Sequence, residues 1–285
     1  MNIVNASYEI LEQPSGLDGI YKMIEIAGRT CYKSHDKITA NSAKGFVNRM
    51  IESEHGAMLE HGTVYLEIPC YKDDSTSDIV YKYIKNKYSV VCDKYGVVSD
   101  IHQFDSTAYI TTNLRVLVEN GWADDLKYLC EPTEYHEKRY TVRFISDIHF
   151  YKDTTRHRVF SWAIESTRLC NYIKEKFGSS VSFLTPIWLK DDEKDEFEND
   201  LKTIESIYFK WINKGWQPQQ AAYFLIQGTK AEIVMTGFAS DYIHFFDLRS
   251  ETAKTGKAHP TIIELVEPLK QEFIKRGYLK SYGTK

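Results

Sequence analysis

The sequence predicts an α+β fold, with a central, mostly antiparallel sheet flanked by helices. Alternating, β-branched stretches and stretches with apolar residues at helical spacing are intermixed along the 285 residues, without the regular strand–helix–strand rhythm of a doubly wound sheet. A Gly-x-Gly-x-x-Gly fingerprint is also missing from the sequence. These observations argue against a Rossmann fold, and a dinucleotide would have to be held in some other way.

The 285 residues are enough for one large domain or two small ones, and the composition is that of an ordinary globular protein. Hydrophobic residues make up 42% and charged residues 27% of the chain, and the formal net charge is −4. Because nucleic-acid and anionic-membrane binders usually carry a basic excess, we expect neither class of partner. The five cysteines form no Cys-x-x-Cys pair, which argues against a zinc ribbon or a disulfide framework. With no signal-peptide pattern and no apolar stretch of membrane-spanning length, we expect a cytoplasmic protein.

The hydrophobic pattern predicts secondary structure throughout the chain. Alternating or β-branched stretches predict strands at 2–11, 63–68, 88–92, 108–112, 140–145 and 181–184, of which 140–145 should be central. Helical spacing, with caps and prolines, predicts helices at 17–31, 41–53, 113–121, 124–130, 147–155, 191–214, 218–226, 232–249 and 260–277. Residues 71–105 are polar and lysine-rich, and we expect a peripheral insertion or hairpin around 71–105 that includes the strand at 88–92.

The segment 156–168 concentrates three arginines, a histidine, two serines and a threonine among apolar residues. Guanidinium groups so close together repel one another unless an anion lies among them, and arginine offers a fork of donors that fits phosphate. A solvated basic helix face is the alternative. However, the chain as a whole is slightly acidic, and Val159, Phe160 and Trp162 should tie the segment to a core. We therefore predict a pocket for a phosphorylated ligand.

Two histidines and a glutamate lie in the turn before the predicted strand at 63–68. His55, Glu60 and His61 lack the His-Glu-x-x-His spacing of a zinc site, and no further cluster nearby completes a metal shell. We therefore predict no metal site. The polar side chains of this turn either contact a ligand or cap the strand.

The arginine-rich segment resembles the signature of the flavin-dependent thymidylate synthases, the ThyX-type family. In that signature Arg-His-Arg is followed after seven residues by Ser and then by Arg, as in Arg156-His157-Arg158, Ser166 and Arg168. Further blocks are similar to the family and occur in its order between about residues 17 and 270, so the resemblance covers most of the chain. These blocks are His55 through Glu60-His61, Thr112-Asn113-Leu114-Arg115, Met235 through Leu248-Arg249, and Ala258-His259-Pro260 to Glu264.

The resemblance implies reductive methylation of uracil C5, which converts dUMP to dTMP. It implies that 5,10-methylenetetrahydrofolate supplies the carbon, that FAD carries the hydride and that NADPH reduces the flavin. It also implies a homotetramer whose active sites draw on several subunits. The resemblance implies in addition that residues 1–285 form a single domain.

The resemblance also implies roles for individual residues. Arg249 would be catalytic, because a guanidinium at the edge of uracil stabilises the anionic ring that attacks from C5. The residues expected to bind the nucleotide are Asp153, Arg156, Glu165, Ser166, Thr167, Arg168 and Arg249. The residues expected to bind the flavin are His55, Glu60, Arg156, His157, Arg158, Val159, Ser240 and His244.

Several positions near the expected ligand depart from the family's pattern. Ile164 and Leu169 replace a Gln or Glu and a Tyr, and Ala222 replaces an arginine expected to bind phosphate. Losing one charge-assisted contact costs about 1.5–3 kcal/mol of binding, which Lys230 or another basic group could offset. Three hypotheses therefore stay open: a thymidylate synthase with a rearranged phosphate clamp, a relative that methylates or hydroxymethylates another pyrimidine nucleotide, and a catalytically silent flavin- or nucleotide-binding homologue.

Other conspicuous side chains are expected to be structural. Surface or capping roles are expected for three histidines, namely His136, His149 and His259. A place in the core, rather than at a flavin, is expected for an aromatic stripe in the predicted helix at 232–249, namely Phe238, Tyr242 and Phe245.

Overall fold

The computed structural model describes residues 1–70, 75–100, 107–166, 180–253 and 256–279. The strands of these ranges are β1 (Asn2–Val4), β2 (Ser7–Leu11), β3 (Thr63–Pro69), β4 (Val90–Asp93), β5 (Gly96–Val97), β6 (Thr107–Asn113), β7 (Arg139–Asp147), β8 (Ser161–Ile164), β9 (Ser182–Leu184) and β10 (Lys230–Phe238). The α-helices are α1 (Gly16–Cys31), α2 (Ser42–Glu52), α3 (Ser75–Ile84), α4 (Leu114–Asn120), α5 (Ile148–Thr154), α6 (Lys194–Asn213), α7 (Pro218–Ala221), α8 (Ala239–Arg249) and α9 (Pro260–Lys275).

The described strands form two four-stranded antiparallel sheets, and β1 pairs in parallel with β9. Helices flank both sheets, so the predicted α+β class is confirmed. The expectation of one central sheet is corrected to two. They are called the β7 sheet, with the order β2-β7-β10-β8, and the β6 sheet, with the order β3-β6-β4-β5.

In the β7 sheet, β7 and β10 pair along their whole length. The register runs from Lys230 opposite Asp147 to Phe238 opposite Arg139. One face of this sheet packs against α5, α8 and α9 and forms the larger part of a buried apolar core. The interior position of β7 confirms the central strand predicted at 140–145.

In the β6 sheet, the buried side chains of β3 and β6 pack against α1, α2 and α3 in a second core. The strands predicted at 63–68 and 108–112 are thereby confirmed. Asn113 ends β6 and caps α4, because its side-chain oxygen accepts a hydrogen bond of 3.2 Å from the N–H of Val116. Gly121 ends α4 in the left-handed region with a φ of 71°, so the predicted boundaries of this helix are also confirmed.

Helix α1 lies between the two sheets and contributes to both cores. Ile24 belongs to the core of the β6 sheet, whereas Ala27 packs with Ala163 and Val234 of the β7 sheet. The approach is close because small residues lie at the contact. At Gly62, an added Cβ would come within 2.6 Å of Ile24, so a larger residue would push the helix away.

The helix predicted at 232–249 is wrong over its first half. Residues of β10 are buried on both faces, by α8 and α9 on one side and by α1 on the other. A strand that is buried on both faces reads as a continuous apolar run rather than as an alternation. The helical spacing of the aromatic residues that follow was therefore extended too far back, and the helix begins only at Ala239.

Two other boundaries differ from the prediction. The strand predicted at 2–11 is divided, because β1 pairs with β9 whereas β2 pairs with β7. The helix predicted at 218–226 ends at Ala221 and continues only as a short 3-10 turn, Ala222–Phe224. The remaining predicted elements correspond to α1, α2, α5, α6, α9 and β9 and to a 3-10 helix, Ala123–Tyr128.

The segment 71–105 contributes to the core of the β6 sheet in its described part. Val80 and Tyr83 of α3 are fully buried, and the Tyr83 hydroxyl donates a hydrogen bond of 2.8 Å to Asp125. The strand predicted at 88–92 corresponds to β4, which pairs with β6. Its status as an insertion stays a prediction, but the segment is not merely peripheral. None of the helices within the described ranges combines the length and apolarity needed to cross a bilayer.

Candidate active site

The arginine-rich turn is positioned by α5 and β8. Asp147 caps the start of α5 by accepting a hydrogen bond of 2.7 Å from the N–H of Phe150, and the helix delivers the turn that precedes β8. Phe160 anchors the turn in the core, where its ring fills the space beside Gly237. An added Cβ at Gly237 would lie 2.3 Å from that ring, so this glycine is what allows the turn to dock. Val159, by contrast, is 61% exposed and does not tie the turn to the core as predicted.

Arg249, at the end of α8, meets this turn across the fold. Its Nε donates a hydrogen bond of 3.1 Å to His157 Nε2, and Nη2 donates one of 3.0 Å to the carbonyl oxygen of Asp153. The Asp153 carboxylate faces two guanidinium groups, with Nη1 of Arg249 at 3.9 Å and Nη2 of Arg156 at 3.6 Å. The structure thus brings together four residues that the sequence placed in two distant blocks. We call them the arginine cluster.

His157 is the buried member of the arginine cluster. Burial, and then the charges of Arg249 and His244, lower the pKa of His157 to about 4. At neutral pH the ring is therefore uncharged, and since Nε2 accepts from Arg249, the proton lies on Nδ1. The edge of the ring also packs against Phe245, with a centroid distance of 5.1 Å. His157 fixes the direction of Arg249 without competing for an anion.

A cleft of about 670 Å³ lies between the two sheets. None of the four residues of the arginine cluster lines it, but Arg158, which follows His157 in the chain, does. Four residues predicted to bind the flavin line it together, namely Glu60, Arg158, Val159 and Ser240. Arg115, from the Asn-x-Arg block, also lines the cleft and forms ion pairs with Glu60 at 2.5 Å and Glu119 at 2.7 Å. The structure therefore joins the upstream and central blocks at one surface.

Two further features of the cleft were missed from the sequence. Arg139 has a buried guanidinium whose Nη1 donates a hydrogen bond of 3.1 Å to the carbonyl oxygen of Glu60. Its Nε is buried without a hydrogen-bond partner in the described part of the chain, and burial lowers the pKa of Arg139. The segment 86–88 supplies Lys87 and Tyr88 to the same cleft. No spacing or motif marks either feature, because both depend on tertiary packing.

These residues fit a flavin dinucleotide. A buried guanidinium nitrogen without a partner is costly unless a ligand supplies an acceptor, and phosphate oxygens are such acceptors. Lys87 and Arg158 add further cations at the cleft, while Tyr88 and Phe238 offer aromatic faces for a heterocycle. A cleft of this volume is also within the range of sites for cofactors.

His55 is not brought together with Glu60. It is exposed and lines a separate, shallow cavity with Arg29, Tyr32 and Phe46. His61 is instead fully buried, where its Nδ1 lies 2.8 Å from Thr236 Oγ1. Within the described ranges, no group of three or more His, Cys, Asp or Glu side chains is arranged to hold a metal ion.

Glu165, predicted to bind the nucleotide, is committed to other partners. Its Oε2 accepts hydrogen bonds from Lys230 Nζ at 2.6 Å and from the N–H of Glu232 at 3.1 Å. Lys230 is equally committed and is 10% exposed, so it does not offset the arginine that Ala222 lacks. Ser166 follows β8, and its N–H donates to the carbonyl oxygen of Cys31 at 3.1 Å. Thr167, Arg168 and Leu169 lie outside the described residues.

Ser240 and His244 lie on the first turns of α8 and are exposed. The N–H of Ser240 donates a hydrogen bond of 3.0 Å to Glu137, and the His244 ring lies 6.0 Å from that of His157. His244 is thus next to the arginine cluster, whereas Ser240 faces the cleft.

The structural roles predicted for other side chains are confirmed in most cases. His259 caps α9, and Tyr242 and Phe245 are fully buried. The core position predicted for Phe238 is wrong, because this residue ends β10, is only partly buried and lines the cleft. His136, however, is 1% exposed and is neither a surface nor a helix-capping residue. Its Nδ1 accepts from the N–H of Thr133 at 3.1 Å and its Nε2 lies 3.1 Å from a carbonyl oxygen, so packing decided its position.

Comparison with known proteins places these observations in context. No curated protein matches the chain. Solved structures similar to it include the UMP/dUMP methylase PolB from Streptomyces cacaoi bound with 5-Br dUMP or with 5-Br UMP; each has 13% sequence identity and a TM-score of 0.44, and the match covers 96% of this chain and 93% or 92% of PolB.

A family model described as thymidylate synthase complementing protein, Thy1, matches residues 132–276, which is more than half of the chain. The matched range includes the arginine cluster, Arg158, Ser240 and His244, whereas His55 and Glu60 precede it. On this match the chain belongs to the thymidylate synthase complementing protein family, the ThyX-type family that its arginine-rich segment resembles.

Proposed function

We propose that this protein is a flavin-dependent enzyme that reductively methylates C5 of dUMP to give dTMP. In this proposal 5,10-methylenetetrahydrofolate supplies the carbon and NADPH is the reductant, and residues 1–285 act as one catalytic domain. FAD bound in the cleft would supply the hydride. The observation that carries the proposal is the arginine cluster, because it joins the predicted catalytic Arg249 to the turn that defines the family's signature.

The arginine cluster is suited to bind and polarise a pyrimidine nucleotide. Arg249 is held by two hydrogen bonds, to His157 and to the Asp153 carbonyl, which fix the plane of its guanidinium. Among the described residues, Nη1 makes a longer contact of 3.9 Å to the Asp153 carboxylate, which leaves it available to an oxygen of uracil. Negative charge that develops on the ring would be stabilised there, where water is partly excluded. Arg156, whose side chain is 73% exposed, is available to a phosphate.

The cleft residues are suited to hold the flavin cofactor. Arg139, Arg158 and Lys87 would pair with its phosphates, and the Glu60–Arg115 ion pair would stabilise the wall of the cleft. Orientation is the main contribution that these residues make, because the cofactor carries the redox chemistry. No thiol is required as a nucleophile in this scheme.

The distribution of the predicted residues supports a homotetramer with shared sites. His55 lies at a different surface from Glu60, and Ser166 lies beside the end of α1 rather than in the arginine cluster. A complete site would form if these surfaces met across subunits. Gel filtration with light scattering would test the tetramer.

A second candidate is C5 modification of another pyrimidine nucleotide, by methyl or hydroxymethyl transfer. Ala222 offers no charge, and Lys230 is bound by Glu165 and Glu232, so the phosphate clamp differs from the family's pattern. UMP, which differs from dUMP by one 2′-hydroxyl, is the simplest alternative to test.

One assay distinguishes the two candidate functions. Purified protein is first reduced anaerobically. Methylenetetrahydrofolate is then added together with dUMP or with UMP, and oxidation of the flavin is followed by its absorbance. The products are identified by mass spectrometry. We expect turnover with dUMP and a loss of about 10²–10³-fold in kcat for Arg249→Gln. Arg276→Gln, a surface arginine paired with Glu272, is the matched control and should keep full activity. Turnover with UMP alone would select the second candidate, and a protein that takes up no flavin would refute both.

A further inference from the structure

A further cavity, of about 350 Å³, lies beside α5 and the start of α9. We call it the aromatic slot. Its walls are mostly apolar, and the side chains that form them are Leu184, Pro186, Trp188, Phe197, Leu201 and Ile226. None of the residues that line it belongs to the arginine cluster or to the cleft. The slot is therefore a separate site within the described chain.

Aromatic rings form one end of the slot. The rings of His149 and His259 face each other with a centroid distance of 3.9 Å and an interplanar angle of 35°. The Trp188 ring meets that of His259 edge-on at 5.6 Å. Trp188 nevertheless remains 53% exposed, which is unusual for so large an apolar side chain. Flat surfaces of this kind stack well on another flat ring.

One polar atom at the edge of the slot lacks a hydrogen-bond partner. His149 Nδ1 is buried and has no hydrogen-bond partner among the described residues. The other ring is already engaged, because His259 Nδ1 lies 2.8 Å from Thr261 Oγ1. A bound ligand that carries a ring nitrogen or a carbonyl oxygen would satisfy His149.

The charged and titratable groups around the slot disfavour an anionic ligand. No lysine or arginine lines it, so a phosphate or carboxylate would find no partner. Asp147 does line it, and a carboxylate at that position would repel an anion. Burial raises the pKa of Asp147 and of Glu264, whereas burial and His149 lower the pKa of His259, with Asp147 and Asp153 acting in the opposite direction.

The size and shape of the slot further restrict the ligands that it could bind. A volume of about 350 Å³ is near the lower end for small-molecule sites, enough for one ring system but not for a whole dinucleotide. An alkyl chain would fill the apolar walls but would leave His149 Nδ1 unpaired. A flat ring with nitrogen or carbonyl groups on one edge can pack against the apolar walls and also form a hydrogen bond with His149.

We propose that the aromatic slot binds an uncharged, planar nitrogen heterocycle of two fused rings. The ring stacks near Trp188 and His259, and its polar edge pairs with His149. Two sources share this chemistry: the adenine ring of a nucleotide and the pteridine ring of a folate. This site is distinct from the proposed catalytic site, and its occupation does not depend on the proposed reaction.

The test measures binding of adenosine and of pterin to the full chain by isothermal titration calorimetry. Both probes are uncharged, so the arginine cluster does not attract them by charge. His149→Phe keeps a ring of similar size but removes the nitrogens, and Trp188→Leu removes the stacking face. Trp216→Leu is the matched control, because Trp216 is also partly exposed but packs against Trp211 away from the slot.

We expect at least one probe to bind wild-type protein, with an affinity at least tenfold weaker in His149→Phe and in Trp188→Leu and unchanged in Trp216→Leu. Binding of adenosine alone assigns the slot to a nucleotide base, and binding of pterin alone assigns it to a folate. Should His149→Phe fail to fold, as judged by circular dichroism, Trp188→Leu decides. No binding of either probe, or equal binding by all the variants, overturns the proposal whether or not the protein turns over dUMP.

Discussion

The Asp153 carboxylate is the anion that Arg156 and Arg249 both face in the described chain. It lies where the guanidinium forks would otherwise meet a phosphate or an oxygen of uracil. The family resemblance implies that Asp153 binds the nucleotide, whereas the geometry shows it facing the two arginines that are proposed to bind the nucleotide. These two roles predict opposite effects of removing its charge.

We expect Asp153→Asn to tighten the binding of dUMP by about two- to fivefold, as measured by isothermal titration calorimetry. The reason is that the two arginines lose a partly exposed competing anion, while the backbone carbonyl that holds Arg249 is unchanged. Asp191→Asn, which removes an exposed carboxylate paired with Lys194, should leave binding unaltered. Weaker binding in Asp153→Asn would show that the carboxylate contacts the nucleotide directly.

Single residues of the site were predictable where a motif fixed them. Arg156, His157 and Arg249 do meet, because the spacing of the signature reflects a turn that must reach α8. Arg139 was not predictable, since its role depends on a buried nitrogen that only the packed sheets create. The separation of His55 from Glu60 was equally hidden, because a six-residue 3-10 helix, Gly56–His61, follows His55 and directs Glu60 to a different surface.

Among the elements, β10 shows how burial can disguise a strand. Its sequence from Glu232 to Gly237 lacks the alternation of a half-exposed strand because both faces are covered. The strand predicted at 140–145 belongs to the same sheet but was recognised, because the face of β7 that carries Arg143 and Ile145 is partly exposed. Amphipathic helices such as α1 and α6 were recognised for the same reason. Strands and helices were therefore predictable when one of their faces is exposed to solvent.

The segment between α3 and β4 contributes an aromatic side chain to the cleft. It carries Tyr88, which is 54% exposed, lines the cleft and has Lys87 Nζ 4.8 Å from its ring centroid. We expect Tyr88→Ala to weaken flavin retention by about two- to tenfold, because an aromatic face against the cofactor is lost. Equilibrium dialysis of FAD measures this.

The matched control for that prediction is Tyr95→Ala. Tyr95 is 84% exposed in the same segment, between β4 and β5, and does not line the cleft. Its loss should leave flavin binding unchanged. Equal weakening in both variants would mean that the segment acts only through general stability.

At the scale of the whole molecule, three buried histidines connect parts of the fold while uncharged. Burial lowers the pKa of His61 to about 3, with Arg139 as a further cause, and lowers the pKa of His136 and of His157 to about 4. His61 reaches Thr236 of the β7 sheet from beside the β6 sheet. Protonation of such groups would place charge inside the cores.

The sign of the pH dependence follows from these lowered values. The unfolded chain binds a proton at each histidine near pH 6.5, whereas the folded chain does so only near pH 3 to 4. The stability that these neutral histidines provide is therefore complete above pH 6.5 and is lost as the pH falls from there towards 4. Each contributes a slope of at most about 1.4 kcal/mol per pH unit in this window.

We expect urea midpoints to fall steeply between pH 6.5 and 4.5, and the slope to be smaller in His136→Gln. His136 is suited to this test because it does not line the cleft. The variant's stability at pH 8 provides its own baseline, so a general loss of packing is distinguished from a lost proton linkage. An unchanged slope would show that His136 titrates alike in both states.

Helix α1 has one more consequence, which concerns the cost of binding. Close contacts at Ala27 and Gly62 fix its distance to both sheets, and strands of both sheets contribute to the walls of the cleft. The walls therefore cannot slide apart or together without repacking both cores. A cofactor would bind to a cleft that is already formed, so ordering of the protein would cost little binding free energy. Affinity in this molecule should then depend on the choice of side chains along the walls, while the spacing between them stays constant.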